Sequence, residues 1–339
     1  MKAAVYRSGS TLTVEEVAIP EIADDEILVK VAACGVCHTD LHYLDHGVPT
    51  FKKPPLTLGH EASGIIARAG RGVNSVREGD RVLLPAVVTC GHCVMCREGR
   101  ENICMNMKMF GNHIDGAFAE YVKAPAKDAI PLPLDLPLEE SCIIADALST
   151  PFHAVRNRAR VLPGDTVAVF GCGGVGINVV QIAVACGAKV LAVDVSPEKL
   201  ELAVAFGASE VVLPKEGENV AKTIRGKTDG GVDVAIEAIG NPITLGQAFD
   251  SVKRGGRLCI VGYSDKPFTI AAAKVMFHEI EIVGSLGCRP VDYPRIIEMI
   301  RAGRVQLRPL VTGRFPLSEV NAAIDTLRSG KGLRNIVVP

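Results

Sequence analysis

The stretch Thr166–Asp194, TVAVFGCGGVGINVVQIAVACGAKVLAVD, constrains the fold more than any other. A short β-branched run, Thr166–Phe170, reads as a buried strand. Gly171, Gly173, Gly174, Val175 and Gly176 follow, and Val175, Val179, Ile182, Ala183 and Cys186 continue with helical spacing. Gly187 closes that helix, and Lys189–Val193 reads as a second strand ending in Asp194. Strand, glycine turn, helix, strand and acid in this order predict a dinucleotide-binding unit. Gly171 allows the tight turn, Gly173 lets backbone approach a pyrophosphate, and Gly176 lets the helix pack against the strand. The N–H groups at the helix start face an anion. Asp194 can accept both ribose hydroxyls of NAD and would repel the additional phosphate of NADP. A glycine-rich structural turn in some other α/β protein is the competing account, and it leaves Asp194 unexplained.

The 339 residues suggest about two domains. From Thr166 strands and helices alternate: Pro197–Phe206 helix, Glu210–Leu213 strand, Glu218–Arg225 helix, Val232–Ala238 strand, Pro242–Lys253 helix, then strands at Arg257–Gly262 and Ile280–Gly284. Six strands is the count for a doubly wound α/β sheet. Residues 1–130 have another rhythm. MKAAVY, EILVKVAACGV, ASGIIARAG, DRVLLPA and AEYVKAPA are short apolar runs between turns, which suits a compact, partly antiparallel β-barrel. A proline-rich link, PLPLDLP, precedes an expected helix from Leu138 to Arg160. Beyond Arg289 only a helix (Val291–Ala302) and a short tail remain, too small for a domain and expected to pack on the N-terminal part. The expected division is 1–148 with 289–339, and 149–288.

A formal charge of −1 provides no overall basic field for nucleic acid. No segment is long and apolar enough to span a bilayer, and MKAAVYRSGSTLTVEE lacks the apolar core of a secretory signal. A cytoplasmic location is the resulting expectation. In a reducing compartment clustered cysteines are metal ligands more often than disulfides. Cys90, Cys93, Cys96 and Cys104 have the spacing C-x2-C-x2-C-x7-C. Four thiolates on one loop surround zinc tetrahedrally and leave no open position, which describes a structural site. An iron–sulfur cluster is the nearest rival. His92, between two of these cysteines, reads as a surface residue.

Neither CGVCHTDLH, which contains Cys37, nor LGHEASG, which contains His60 and Glu61, is decisive alone. Together with the four-cysteine loop, the G-x-G-G-x-G turn, Asp194 and an arginine near the end, they form a specific set. The chain resembles, from end to end, a zinc-dependent alcohol dehydrogenase of the medium-chain dehydrogenase/reductase family. The resemblance implies a GroES-like β-rich catalytic domain plus a doubly wound Rossmann nucleotide-binding domain. It implies two zinc ions per chain, one catalytic and one structural, and NAD as cofactor. The catalytic zinc would be held by Cys37, His60 and a third ligand from CIIADALSTPFHA, where Asp146 takes the matching position and Cys142 is a nearby rival. Glu61 would act behind these ligands or as a transient fourth one. An open fourth position would take the alcohol oxygen, and zinc would favour the alkoxide near neutral pH. Thr39 and His42 match the family's proton relay, although alone they would pass for a turn residue and a surface histidine. His38 and Arg334 match pyrophosphate contacts, Lys199 a lysine near the adenosine ribose, and Thr150 a residue packed near the nicotinamide. Lys199 as an exposed helix lysine and Arg334 as a solvated tail residue remain alternatives.

The expected reaction is NAD-linked oxidation of a primary or secondary alcohol to an aldehyde or ketone. Leu44, Phe51, Leu83, Phe110 and Leu286 are pocket-wall candidates, though apolar residues near strand ends are more often core. ADALSTPF and FGNHIDG also resemble a branch that oxidises alicyclic hydroxyacyl-CoA thioesters, for which Lys52, Lys53 and Lys108 could form a basic entrance. A non-catalytic NAD-binding redox sensor is the reading from another class, and retention of Cys37, His60, Thr39 and His42 opposes it. By resemblance the chain is expected to form a homo-oligomer, a tetramer rather than a dimer, with Ile280–Gly284 able to extend a sheet between subunits.

Overall fold

A computed structural model describes residues 1–339 as two compact units. The first comprises Met1–Ser149, Gly287–Arg301 and Gln306–Pro339, and the second comprises Thr150–Leu286 and Ala302–Val305.

The first unit is built on the long strand Glu26–Val36. Its sequence, EILVKVAACGV, is apolar on nearly every residue because both of its faces are covered. It lies inside a seven-stranded sheet, with the antiparallel strand Glu61–Ala69 on one side. On the other side is Arg334–Val338, also antiparallel, which in turn pairs in parallel with Val311–Pro316. Tyr121–Pro125 pairs with the first half of the same strand. The C-terminal tail therefore does more than pack on the N-terminal part: it supplies two strands of the sheet. The core of this unit includes Ile27, Val29, Leu56, Leu58, Ile66, Phe118 and Val337.

The second unit carries six parallel strands. In sheet order they are Glu210–Val212, Lys189–Val193, Thr166–Phe170, Val232–Glu237, Val252–Ile260 and Glu281–Gly284. Numbered along the chain within this sheet, the order is 3-2-1-4-5-6, the doubly wound arrangement whose reversal point lies beside the first strand. The Val167, Ala168, Val169 and Phe170 side chains are all fully buried, as expected of a strand covered on both faces. The helix Pro197–Ala205 starts on Ser196, whose hydroxyl accepts the Lys199 N–H, and stops before Gly207 at φ +102°.

The expected continuous helix from Leu138 to Arg160 is not formed. The chain makes a 3-10 segment at Glu140–Ala145, one α turn at Ser149–Phe152 and a π-helical segment at His153–Arg158. Asp146 sits at the first break with φ −140° and ψ −55°. Breaking the helix there leaves the Ala145 carbonyl without a helical partner, and two buried hydroxyls satisfy it. Tyr293 Oη donates at 2.9 Å and Ser149 Oγ at 2.9 Å. The expected strand at Arg257–Gly262 also begins earlier, at Val252, with a register shift opposite Val232/Val234.

Candidate metal centre and dinucleotide site

Sheet register brings the dispersed metal-ligand candidates together. Gly35 pairs with Glu61, and Val36 pairs with Asn335. Cys37 leaves the central strand just beyond these pairs, so His60 and Arg334 reach the same end of the sheet. Asp146 arrives at the helix break described above. Cys37, His60, Glu61 and Asp146 each place one donor atom within 4.8 Å of the others. Cys37 Sγ is 3.7 Å from Asp146 Oδ2, and His60 Nε2 is 3.8 Å from the same oxygen. Cys142, the rival third ligand, is fully buried and is not a member of this group.

The donor set calls for a cation. Both ring nitrogens of His60 and both carboxylate oxygens of Glu61 are buried without a hydrogen-bond partner. Such orphans are rare in folded proteins and usually mark an unshown partner. Burial opposes a charge on His60, yet Asp146, Cys37 and Asp40 together hold its pKa well above the ordinary value. The surroundings of the imidazole thus favour positive charge. Zinc at about 2.3 Å from sulfur and about 2.0–2.1 Å from nitrogen or oxygen sets tetrahedral ligands roughly 3.3–3.8 Å apart. The sulfur–oxygen distance of 3.7 Å matches, the nitrogen–oxygen distance of 3.8 Å is about half an ångström wider than a bound ion would set, and the residues fit the ion.

Two residues that sequence reasoning did not single out, Asp40 and Gly35, shape this centre together with Arg334, which it did. Asp40, fully buried, accepts the Cys37 N–H at 3.0 Å through Oδ2 and places Oδ1 3.7 Å from His60 Nδ1. At that distance the carboxylate makes no hydrogen bond to the ring and acts on the ligand through its charge. Its signal was the fourth letter of C-H-T-D. Gly35 is required by close approach: a Cβ there would lie 2.0 Å from Glu61 Oε2. Arg334 is buried rather than solvated. It donates to the Val36 carbonyl at 3.0 Å and holds Nη2 3.3 Å from Glu61 Oε1. Burial pushes the Glu61 carboxyl up to about 7, and Arg334 opposes that shift.

Thr39 Oγ1 lies 3.7 Å from Cys37 Sγ. His42 follows on the helix His38–Leu44 and is half-buried, while His38 at its start is exposed. Leu44, Leu83 and Phe110 are core residues, whereas Phe51 is 77% and Leu286 56% exposed.

The second cluster sits on one loop. The Cys90, Cys93, Cys96 and Cys104 sulfurs are 3.5–3.9 Å apart and none is bonded to another. Four sulfurs at about 2.3 Å from one ion are about 3.8 Å apart, so these residues also fit zinc. Backbone N–H groups of Cys90, Cys93 and Asn106 each point at a cluster sulfur at 3.4 Å. The His92 backbone N–H, first among several donors, brings the Cys90 thiol down to about 5. The His92 ring itself is exposed and bonded to the Cys90 carbonyl.

In the second unit Gly171 adopts φ +90°, and a Cβ there would lie 2.5 Å from Ile239 Cγ1. A Cβ on Gly176 would lie 1.7 Å from the Gly171 carbonyl oxygen, which excludes every other residue. Gly173 has nothing within 4 Å of a Cβ, so the loop is open there for a ligand. Gly173, Gly174 and Val175 are half-buried ahead of the helix Gly176–Ala185. Asp194 Oδ2 accepts the Cys172 N–H at 2.7 Å and Oδ1 accepts the Ser196 N–H at 3.0 Å, pinning the acid beside the loop. Lys199 and Thr150 are half-buried in this unit.

Residues 23–134 match the alcohol dehydrogenase GroES-like domain, and residues 174–302 match the zinc-binding dehydrogenase domain. The chain is 37% identical over 335 residues to an alcohol dehydrogenase of Geobacillus stearothermophilus, covering 98% of this chain and 96% of that protein. It is 36% identical over 330 residues to the sorbitol dehydrogenase of Bacillus subtilis (strain 168), covering 96% and 93%. It belongs to the zinc-dependent medium-chain alcohol dehydrogenase family. The fold of this dehydrogenase also matches a solved structure described as a zinc-binding dehydrogenase from Sinorhizobium meliloti 1021 bound to NADP. That match has a TM-score of 0.92 and 34% identity, and covers 100% of this chain and 99% of that one. The GroES-like and Rossmann domains and dehydrogenase chemistry are those of the family. No helix of this dehydrogenase is long and apolar enough to cross a membrane.

Proposed function

We propose that the protein is an NAD-dependent zinc alcohol dehydrogenase that oxidises a small primary or secondary alcohol to an aldehyde or ketone. The observation that carries this reading is the cluster of Cys37, His60 and Asp146, three donors of mixed type beside a buried Glu61 carboxylate that accepts no hydrogen bond. Three protein ligands leave one position for substrate, as catalytic zinc requires. Bound zinc supplies a Lewis acid that lowers the pKa of an alcohol hydroxyl, and NAD supplies the hydride acceptor. The chain's own residues do the rest. Cys37, His60 and Asp146 hold the ion, and Asp40 sets a negative charge behind the His60 ring. Thr39 Oγ1 accepts the substrate proton, and His42 serves as the base through which it leaves. Cys90, Cys93, Cys96 and Cys104 hold a second, structural zinc.

NAD is preferred over NADP in this reading because the Asp194 carboxylate occupies the position where the ribose phosphate of NADP would need a cation. The alicyclic acyl-CoA substrate is the second reading; of its basic entrance Lys52 is paired with Asp115 at 2.5 Å in an exposed ion pair. Relatives named for sorbitol, threonine and simple alcohols all act on hydroxyl carbons, which supports the substrate class without choosing a member. A homo-oligomer accompanies the proposal, since Glu281–Gly284 is an edge strand flanked by exposed Met276, Phe277 and Leu286.

The test is reduction of NAD and of NADP with a panel of alcohols, polyols, threonine and one alicyclic hydroxyacyl-CoA, on protein assayed for zinc. Turnover of alcohols with NAD, abolished by a chelator and restored by zinc, is the expected result. Turnover confined to the thioester, or to NADP, would overturn the corresponding half.

A further inference from the structure

The helix that carries Thr39 and His42 ends in a histidine pair that neither zinc cluster uses. His42 lies in its last turn, and His46 follows one residue after the C-cap Asp45. The two Nδ1 atoms are 3.1 Å apart, with ring centroids at 5.2 Å and planes inclined by 53°. Two neutral imidazoles that share a hydrogen bond require a proton on one Nδ1 and a lone pair on the other. The same separation is also the bite of a chelate. Two nitrogens at about 2.0–2.1 Å from one ion are about 2.9 Å apart at a right angle and about 3.3 Å apart in a tetrahedron. The measured value falls between these limits.

The surroundings agree. His46 is exposed and His42 half-buried, so a hydrated ion reaches both. Burial, and then His46, hold the His42 pKa below its ordinary value, which favours the uncharged ring near neutral pH. Asp45, the carboxylate on this turn, is engaged elsewhere. Arg328 Nε and Nη2 donate to its two oxygens at 2.8 and 2.7 Å. The pair thus offers two imidazole donors, with water for the remaining positions. Imidazole ligands select zinc, nickel or copper over magnesium or calcium.

We propose that His42 and His46 form a third metal site, a two-imidazole chelate for a divalent transition-metal ion, whose occupancy withdraws His42 from proton transfer. A cation bound to the His42 ring opposes its protonation, so the site would inhibit turnover when filled. That consequence rests on the relay role proposed above for His42; the site itself does not.

The experiment dialyses the zinc-loaded enzyme against nickel(II) alone and counts both metals by elemental analysis. The wild type is expected to take up a further nickel ion with its zinc content unchanged. His46→Gln and His42→Gln should each lose that nickel while keeping their zinc and their circular dichroism spectrum. His92→Gln, which changes an exposed histidine elsewhere, should keep it. Nickel uptake by His46→Gln equal to wild type, or its loss only in His92→Gln, would overturn the site. Turnover is read in the same nickel series. Inhibition of the wild type that is absent from His46→Gln supports the competition, and full turnover with nickel bound refutes it. Should no alcohol be turned over, the metal count still decides the site, so the two failures are distinguishable.

Discussion

Cys90, Cys93, Cys96 and Cys104 come from one loop and carry one kind of donor, whereas Cys37, His60 and Asp146 come from three separated segments and carry three kinds. The loop cysteines are cradled by neighbouring N–H groups and need little from the rest of the molecule. The other centre depends on sheet register, on a broken helix, and on an arginine from the last strand. In the proposed function the difference separates two uses of the same ion: the locally built, chemically uniform site would hold the fold, and the globally built, mixed site would leave room for a substrate.

The contrast breaks first, if at all, at Cys37. Cys37→Ala should lower kcat/KM by about 10³-fold, the scale of a lost electrostatic stabiliser, while leaving the melting temperature and NADH binding close to wild type. Steady-state kinetics and calorimetry read both, and unfolding of this variant would make Cys37 structural. Cys93→Ser should behave oppositely. Loss of a structural ion should cost about 3 kcal/mol or more in denaturant titrations, with the turnover of the surviving folded protein little changed. Selective loss of activity in a stable Cys93→Ser protein would erase the distinction. Asp40→Asn sharpens it further. Removing the carboxylate behind His60 should weaken zinc at the mixed centre by about 10–100-fold, as read by competition with a chromophoric chelator. The four-thiolate zinc should be unaffected.

The smallest effect tests how far the mixed centre leans on distant chain. Arg328 holds Asp45 at the end of the His38–Leu44 helix, and the side chains are 26% and 25% exposed. Arg328→Ala should cost less than about 1 kcal/mol at pH 7. The hydrogen bond from Arg328 keeps the Asp45 carboxyl below the usual carboxylate range. A depressed folded-state pKa contributes stability above the ordinary carboxylate value and loses it as pH falls through the folded one. The difference between variant and wild type should therefore shrink on acidification below about pH 4. A difference that grows instead would remove Asp45 from this role.

Legibility in the sequence followed the same divide. The six-stranded unit was readable because each strand, turn and cap announces itself within a few residues, from Gly171 and Gly176 to Ser196 and Gly207. The four-cysteine loop was readable for the same reason. The break at Asp146 was not, because its cause lies in Tyr293 and Ser149, whose hydroxyls catch the freed Ala145 carbonyl. The ion pair of Arg334 with Glu61 was equally hidden, since two strand registers create it. Family resemblance named Cys37, His60 and Asp146, but no spacing rule joined them. Asp40 was visible in C-H-T-D, yet its task depends on His60, which sequence places on another segment.

The strand Arg334–Val338, which covers one side of Glu26–Val36, also sets an order of events during synthesis. Cys37, His60 and Asp146 leave the ribosome early, and the whole six-stranded unit follows before Arg334 emerges. That inserted unit has its own sheet and core and can finish while the surrounding one waits. Until translation reaches Arg334, the Glu61 carboxylate lacks the guanidinium that faces it, and one edge of Glu26–Val36 stays open to pairing. A nascent chain stalled short of that strand would present a sticky edge beside an incomplete cluster of Cys37, His60, Glu61 and Asp146. Such chains are the ones that chaperones and proteases should recognise first.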